Sequence, residues 1–393
     1  MPDQPFFAMM HTYPWDLTDE GLDTSLGRLA DLAGCQEVML TPCYHQSTYF
    51  LPHNPKRPVY YGDDGAVYFS PELKRYEKTS IRPFVSDVVE TGDYYERIVE
   101  AINKRGLAFG TWIVYTFQTN LSRKYPQFAR HDAFGNPHRG ALSVAPVDVQ
   151  EYFLALTSDI IDRFKPSAVI VESLMRRGFS SPPKRRAEMA LRHQFLLGVD
   201  FNPAAVAKAT SEGVDAEALQ TQVANWLASR LARTPTPEDE LPVTVEWVAE
   251  AFGGRLKQYM DACRKDTTAH WQNVAKVIRA SGAKLQTPVA TEESAMRNDL
   301  GIAINGRIDR VPTTSVSTGF EGKQAVSDLA GQIAPDGVVM ADLGPKRMTD
   351  AGPLIKDVQA AKEAGAAGAM FYNYGLLREE DLGFIGEAMR SVA

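Results

Sequence analysis

One carboxylate stands where the chain could carry out acid and base chemistry. Glu172 ends the apolar, β-branched run at 168–171, which is typical of a buried strand in a parallel sheet. A carboxylate just past such a strand is fixed by the strand and left open to substrate by the following loop. Alternatively, Glu172 caps the next helix or pairs with Arg176 or Arg177.

A second carboxylate, Asp342, follows the apolar run at 337–341 in the same way. Two carboxyl groups across a bond, one protonated and one ionised, are what the hydrolysis of a glycosidic bond requires. Glu172 and Asp342 are therefore the predicted catalytic pair. The alternative for Asp342 is an acid that caps the loop before Gly344-Pro345.

Other polar and aromatic side chains follow the remaining predicted strands. A sugar offers C–H faces that stack on aromatic rings, and hydroxyls that need both donors and acceptors. A phosphate site would instead require glycines and a helix N-terminus. The residues predicted to contact a small-molecule carbohydrate are His11, Tyr13, Tyr44, His45, His53, Trp112, Tyr115, Arg176, Glu292, Tyr372 and Asn373.

Some of these residues have a structural alternative. Glu292 and its neighbour Glu293 suit the first turn of a helix, where acids are favoured. Trp112 could be a core residue, and His11 and His45 could be hydrogen-bonding residues or metal ligands. Since the sequence has no His-x-His or His-Glu-x-x-His spacing, neither a metal nor another cofactor is predicted.

The elements that would position these side chains alternate between apolar and amphipathic segments, as βαβ units do. Eight predicted strands that alternate with helical segments predict an α/β protein with a closed (β/α)8 TIM barrel. An open doubly wound sheet is the alternative, but no Gly-x-Gly-x-x-Gly follows the first strand. The predicted strands are 6–10, 38–41, 108–114, 168–172, 284–289, 310–316, 337–341 and 368–371, with helices at 17–33, 93–104, 149–164, 269–281, 322–332 and 354–364.

Two long insertions interrupt this single predicted domain of residues 1–393. Residues 47–92 are rich in Pro, Tyr, Asn and Gly, which favours a lid or binding loop. Within them, 59–69 is predicted to form a hairpin that turns at Asp64-Gly65. Residues 174–267 are predicted to be a helical insertion that caps the barrel mouth, with a separate small domain as the alternative.

Composition narrows the class of protein. The chain has 393 residues, 44% of them hydrophobic and 23% charged, as in ordinary globular proteins. No apolar run reaches the ~20 residues of a membrane span, and the first residues lack the pattern of a secretory signal. Three cysteines without metal-ligand spacing favour reduced thiols in the cytoplasm. A net charge of -7 argues against nucleic acid, and a homo-oligomer remains open.

Four segments carry a resemblance that spans nearly the whole chain: 53–60, 64–69, 171–173 and 371–375. With them the chain resembles a group of bacterial (β/α)8-barrel proteins, uncharacterised in activity and related in architecture to glycoside hydrolases. The resemblance implies carbohydrate processing centred near Glu172. Similar proteins carry a His-rich stretch and a cysteine cluster after the fourth strand, whereas here only His193 and the cysteine-free stretch 195–201 occupy that region.

Three hypotheses follow for function. The first is a glycosidase that acts on a small glycoside or oligosaccharide, with Glu172 as acid/base and Asp342, Glu292 or Glu293 as its partner. The second is a metal-dependent sugar isomerase, epimerase or lyase that uses His11 and His45. The third is a non-catalytic sugar-binding protein, because a barrel fold by itself does not choose among these.

Overall fold

The centre of the molecule is a closed barrel of parallel strands. A computed structural model describes residues 5–45, 47–175, 178–179, 189–313, 320–343 and 349–393. The strands in these ranges are β1 (Phe7–Thr12), β2 (Glu37–Tyr44), β3 (Thr48–Phe50), β4 (Val59–Tyr61), β5 (Ala66–Val67), β6 (Phe84–Val85), β7 (Ala108–Val114), β8 (Ala129–His131), β9 (Pro137–Leu142), β10 (Ala168–Glu172), β11 (Lys284–Gln286), β12 (Arg310–Thr313), β13 (Val338–Asp342) and β14 (Gly368–Phe371).

The barrel consists of β1, β2, β7 and β10 to β14, each parallel to its neighbours. It closes because β1 pairs with both β2 and β14. The predicted (β/α)8 TIM barrel is confirmed. The third, fourth and eighth predicted strands match β7, β10 and β14 in their bounds, whereas β1 and β2 extend further toward their carboxyl ends than predicted.

Helices surround the barrel and build the insertion that follows β10. They are α1 (Pro14–Glu20), α2 (Leu22–Gly27), α3 (Tyr94–Lys104), α4 (Thr119–Lys124), α5 (Val147–Phe164), α6 (Leu191–Leu197), α7 (Pro203–Ser211), α8 (Ala216–Arg230), α9 (Val245–Glu250), α10 (Arg255–Ala280), α11 (Glu292–Asn298), α12 (Phe320–Ala330), α13 (Gly352–Glu363) and α14 (Glu379–Arg390). The single helix predicted at 17–33 is instead divided, because Gly21 adopts a φ of 88° between α1 and α2.

The amino-terminal end of the barrel lumen is closed by a buried ion pair. Glu37 on β2 and Arg310 on β12 lie on opposite sides of the lumen, and their Oε2 and Nη1 atoms are 2.5 Å apart. Beside them, Gly110 on β7 has no side chain, and a Cβ there would collide with the Met39 sulfur. The glycine thus leaves the space that Met39 fills inside the barrel.

The hairpin predicted at 59–69 is wrong. Strand β4 pairs with the preceding strand, β3, in an antiparallel ladder. Strand β5 pairs with the end of β2 and with β6. The reason is aromatic packing, which local turn chemistry does not reveal. Tyr49 and Tyr60, paired across β3 and β4, both contact the Trp15 ring, at centroid distances of 5.4 and 4.7 Å.

The residues of the long insertion that the structure describes form a second apolar cluster, apart from the barrel core. Helices α7, α8 and α9 contribute Val206, Leu219 and Val248 to it. Helix α10 belongs to both clusters, because Tyr259 packs in the insertion and Trp271 packs on the barrel. The boundary predicted near residue 267 therefore falls inside one continuous helix.

Within the described ranges, each helix is too short or too polar to cross a lipid bilayer. Cys35 and Cys43 are buried thiols in the barrel core. Burial raises the pKa of both thiols to about 12, so they are protonated and unreactive at neutral pH.

Candidate active site

His11 and Trp112 lie inside the barrel toward its carboxyl end. The Arg310 guanidinium lies 5.3 Å from the Phe7 ring, so Phe7 faces the lumen. His11, four residues along the same strand, shares that side. The ring centroids of His11 and Trp112 are 4.9 Å apart, and both residues are buried. They form the floor of the candidate site.

Glu172 and Asp342 end two strands on the same inward side. Register pairs Ile170 with Trp112, so Glu172, two residues later on β10, also faces the lumen. Met340 on β13 packs beside Gly368, against which Phe7 also packs, and this places Asp342 inward in the same way. Both acids are half-buried.

Three tyrosine hydroxyls converge near Glu172. The Oη atom of Tyr372 lies 2.5 Å from that of Tyr13 and 2.8 Å from that of Tyr44. Tyr13 stacks on Trp15 at a centroid distance of 4.6 Å, and Tyr44 meets Trp112 edge-on at 5.4 Å. Residues at the ends of three strands are thereby joined, and we call Tyr13, Tyr44 and Tyr372 the phenol cluster.

The Glu172 carboxylate acts electrostatically on the phenol cluster. Burial raises the pKa of Tyr44, and the charges of Tyr372 and Glu172 raise it further. Burial also raises the pKa of Tyr372, and Glu172 contributes to the increase. Both phenols therefore keep their protons at neutral pH and remain hydrogen-bond donors beside the carboxylate.

Asp342 has a pKa above the usual value for aspartate because burial disfavours its charged form. A carboxyl group with a raised pKa, half-buried at the carboxyl end of a barrel strand, is suited to proton transfer. The loop that follows, residues 344–348, lies outside the described residues. The predicted role of Asp342 remains a prediction.

The two histidines predicted at the site differ in their surroundings. Burial lowers the pKa of His11 to about 4, so its ring is neutral at pH 7, and its Nδ1 lies 3.2 Å from the Phe371 carbonyl oxygen. His45 is partly exposed and stacks on Tyr44 at 4.1 Å. Both rings adjoin the phenol cluster, and in the described ranges no group of three or more His, Cys, Asp or Glu could hold a metal ion.

His53 and Asn373 have interactions that hold loops together. His53 Nδ1 lies 2.8 Å from Glu20 Oε1 on α1, and its Nε2 is 3.1 Å from the Tyr374 carbonyl oxygen. Asn373 is fully buried, and its Oδ1 accepts a hydrogen bond from the Gly375 N–H. Both ring nitrogens of His53 are thus engaged, whereas the buried Asn373 Nδ2 has no hydrogen-bond partner among the described residues.

Tyr115 and Glu292 correct the sequence prediction. Tyr115 points away from the lumen, because its hydroxyl bonds to Thr157 Oγ1 on α5 at 2.9 Å and its ring packs on Phe153. Glu292 is exposed in the first turn of α11, where Thr291 caps the helix. Each therefore adopts a structural role, and Arg176 lies outside the described residues.

Sequence reasoning missed Asp16, a carboxyl group next to the phenol cluster. Asp16 is 1% exposed, its Oδ2 accepts the Tyr13 N–H, and its Oδ1 has no hydrogen-bond partner among the described residues. Burial raises its pKa to about 8. Gly375 packs so closely on this carboxyl group that a Cβ there would overlap it. An acid in a first helical turn looks ordinary in sequence, and only this packing distinguishes it.

No protein-family model matches the chain, and comparison with curated proteins finds no similar sequence. Solved structures of similar fold include alpha-L-fucosidase isoenzyme 2 from Paenibacillus thiaminolyticus, with a TM-score of 0.57 and 10% identity over 98% of this chain. The chain spans 49% of that fucosidase.

Two further structures match over nearly their whole length. The catalytic domain of beta-amylase from Paenibacillus polymyxa gives a TM-score of 0.55 at 12% identity, covering 99% of each chain. The PgaB (BpsB) glycoside hydrolase domain from Bordetella bronchiseptica gives 0.56 at 13%, covering 98% of this chain and 99% of that one. At such identities the likeness shows the fold alone, and at that level the predicted relation to glycoside hydrolases is confirmed.

Proposed function

We propose that the chain is a glycoside hydrolase that acts on a small glycoside or oligosaccharide, with Glu172 as its general acid/base. The observation that carries this proposal is the inward position of Glu172 at the carboxyl end of β10, beside phenol donors and indole and imidazole rings. A carboxylate among aromatic faces and neutral donors fits a sugar better than it fits a charged ligand.

Asp342 is the proposed second carboxyl group. In a retaining enzyme the second carboxylate attacks the anomeric carbon, and in an inverting enzyme it activates a water molecule. Either role needs Asp342 ionised. Because burial raises the pKa of Asp342, kcat/KM is expected to fall with decreasing pH from a point above the usual aspartate range.

The solved structures with this fold support the same class of reaction by their names, which describe a fucosidase, a beta-amylase and a glycoside hydrolase domain. They differ in substrate, so they do not indicate one sugar. A panel of 4-nitrophenyl fucosides, galactosides and glucosides in both anomeric forms is therefore the first assay.

The decisive variant is Glu172→Gln, which keeps the size of the side chain and removes the proton donor. With a hydrolysed glycoside from the panel, kcat/KM is expected to fall about 10²- to 10⁴-fold. Asp342→Asn is expected to give a loss of similar size. Glu217→Gln, an exposed glutamate on α8, serves as the matched control and should change nothing.

Persistence of wild-type kcat/KM in Glu172→Gln would remove this residue from the mechanism. The anomer released first, followed by proton NMR, distinguishes retention from inversion and so assigns the role of Asp342. Saturable binding of sugars without turnover would instead support the non-catalytic alternative.

A further inference from the structure

The three tyrosines of the phenol cluster differ in their exposure to solvent. Tyr13 is fully buried and Tyr44 is 6% exposed, whereas Tyr372 is 40% exposed. Tyr13 is enclosed by Trp15, Tyr44 and Tyr49, with ring centroids within 5.1 Å. Of the three phenols, Tyr372 alone is open enough for a ligand to reach it. The expectation that all three contact substrate therefore needs revision.

The two buried phenols, Tyr13 and Tyr44, each have one hydrogen that needs an acceptor. The three hydroxyl groups carry three hydrogens, and two hydrogen bonds join them, Tyr13 with Tyr372 and Tyr44 with Tyr372. One hydrogen is therefore left over. A phenol oxygen accepts up to two hydrogen bonds and donates one. If Tyr13 and Tyr44 both donate to the Tyr372 oxygen, all of their hydrogens are used and the Tyr372 hydrogen remains available.

The opposite arrangement is less favourable. If Tyr372 donated to Tyr13 or Tyr44, that buried phenol would need another acceptor for its own hydrogen. A buried donor without an acceptor costs about 1–3 kcal/mol. Among the described residues, the Tyr13 and Tyr44 hydroxyls bond to Tyr372. The buried Tyr49 hydroxyl interacts with Tyr13 and has no other hydrogen-bond partner among these residues. Donation from Tyr49 to Tyr13, and from Tyr13 and Tyr44 to Tyr372, is therefore the arrangement that uses the hydrogen of every buried phenol.

We infer that the Tyr372 hydroxyl is a fixed hydrogen-bond donor to a sugar oxygen beside Glu172, and that Tyr13 and Tyr44 are positioning residues that never touch the sugar. The inference rests on the proposed function for the identity of the ligand. It assigns one contact residue and two residues that act through it, where the sequence indicated three equal contacts.

Burial and the Glu172 charge support this assignment, because both raise the pKa of Tyr372 and keep its proton in place. Two donors into one phenol oxygen also polarise its O–H bond, which strengthens the bond that the third hydrogen makes. A donor held in place before substrate arrives lowers the ordering cost of binding.

The test is a set of phenylalanine variants assayed on a glycoside that the wild-type protein hydrolyses. Tyr372→Phe is expected to lower kcat/KM about 10- to 100-fold, since it removes a preorganised donor. Tyr13→Phe and Tyr44→Phe should each lower it about 3- to 10-fold. In the Tyr372→Phe background, adding either change should lower kcat/KM no further.

A matched control removes a buried phenol elsewhere. The Tyr95 hydroxyl donates to the Leu40 carbonyl oxygen at 3.1 Å, on the outer side of the barrel, and Tyr95→Phe should leave kcat/KM unchanged. Losses that multiply when Tyr13→Phe is combined with Tyr372→Phe would overturn the inference. So would a Tyr372→Phe variant within twofold of wild type.

Two measurements keep this inference separate from the proposed function. If no panel glycoside is hydrolysed, calorimetric titration with free fucose, galactose and glucose should show the same non-additive pattern in Kd. Urea unfolding of the single and double variants should show coupling between Tyr13 and Tyr372, and additive free energies of unfolding would refute the contact. If none of the sugars binds, the donor role is overturned whatever the unfolding cycle shows.

Discussion

Buried acids at the two ends of the barrel lumen have different surroundings. At the amino-terminal end, the Glu37 carboxylate meets the Arg310 guanidinium at 2.5 Å and accepts a hydrogen bond from Ser167 Oγ at 2.8 Å. At the carboxyl end, Asp342 and Asp16 are buried to different degrees, and burial raises the pKa of both. Glu37 and Asp342 lie on barrel strands and Asp16 lies in the first turn of α1, so the two kinds of acid are not distinguished by the element that carries them.

The difference lies in what surrounds each carboxyl group. An acid that contacts a cation and a hydroxyl donor is committed to the fold by those contacts. An acid that is buried without a cation bound to it holds its proton to higher pH and can exchange it with a ligand. The surroundings of the acids, and not the type of residue, therefore distinguish the amino-terminal end of the barrel, where the acid is structural, from the carboxyl end, where the candidate active site lies.

The largest expected effect tests the structural end. Glu37→Gln leaves the Arg310 charge buried without its partner, so the free energy of unfolding should fall by about 3–5 kcal/mol. Urea denaturation measures this loss. In folded molecules kcat/KM should stay at the wild-type value, because the ion pair lies at the opposite end of the lumen.

Two controls define that result. Glu72 pairs with Arg75 at 2.7 Å while half-exposed, so Glu72→Gln should cost at most about 0.5 kcal/mol. The double variant Glu37→Gln with Arg310→Met removes both charges and should recover part of the loss. If Glu37→Gln costs no more than Glu72→Gln, the proposed division between the two ends is wrong.

A smaller effect, of opposite sign, is expected at the carboxyl end. Folded Asp16 keeps its proton up to about pH 8, whereas an unfolded aspartate releases it near 3.8. The folded state thus binds more protons in this window, and the Asp16 contribution to stability falls as pH rises from about 4 to about 8. Asp16→Asn should therefore stabilise the protein at pH 8 by about 2–4 kcal/mol.

Thermal or urea unfolding at several pH values would measure that difference. The gain from Asp16→Asn should shrink toward zero below pH 3.8, where wild-type Asp16 becomes protonated in both states. Asp23→Asn, an exposed first-turn aspartate on α2, is the control. A gain that does not depend on pH would show that Asp16 is not the titrating group.

The smallest effect concerns the segment that the sequence marked as a lid or binding loop. Burial lowers the pKa of His53, but the hydrogen bond and charge of Glu20 outweigh it, so the pKa lies above the usual 6.5. The contribution of His53 to stability is therefore complete below pH 6.5 and is lost as pH rises through the folded pKa. Its size should be about 1–2 kcal/mol.

Limited proteolysis within residues 47–92 would measure this effect. Cleavage should be faster at pH 9 than at pH 6, and His53→Gln should abolish that difference. Arg57, which pairs with Asp19 at 2.5 Å, anchors the same segment without titrating. Arg57→Gln should therefore raise cleavage equally at both pH values. Equal cleavage of the wild-type protein at pH 6 and 9 would contradict the His53 assignment.

Much of the fold follows from local patterns. The apolar runs that became β7 and β14 were predicted with their observed bounds, because fully buried parallel strands have continuous apolar sequence. The hairpin predicted at Asp64-Gly65 failed, since local turn chemistry was overridden by the packing of Tyr49 and Tyr60 on Trp15. Local signals predict elements well where burial is complete and poorly where a loop folds back on another loop.

The candidate site was predicted in part. His11, Trp112 and Tyr372 were correctly predicted to lie together, because the carboxyl ends of the parallel strands of a barrel meet at one end. The same reasoning also selected Tyr115, which turns outward to Thr157. A residue at the end of a strand can face either side, and the pleat of the whole strand decides which.

The sequence by itself determined which segments become the barrel strands, and that two acids would end such strands. Tertiary structure alone decided what surrounds each acid. Glu37 meets Arg310 at a sequence separation of 273, and Tyr13 meets Tyr372 at a separation of 359. The physical reason is barrel closure, which sets neighbours by register and pleat across the lumen, and no local pattern encodes the contents of that shared space.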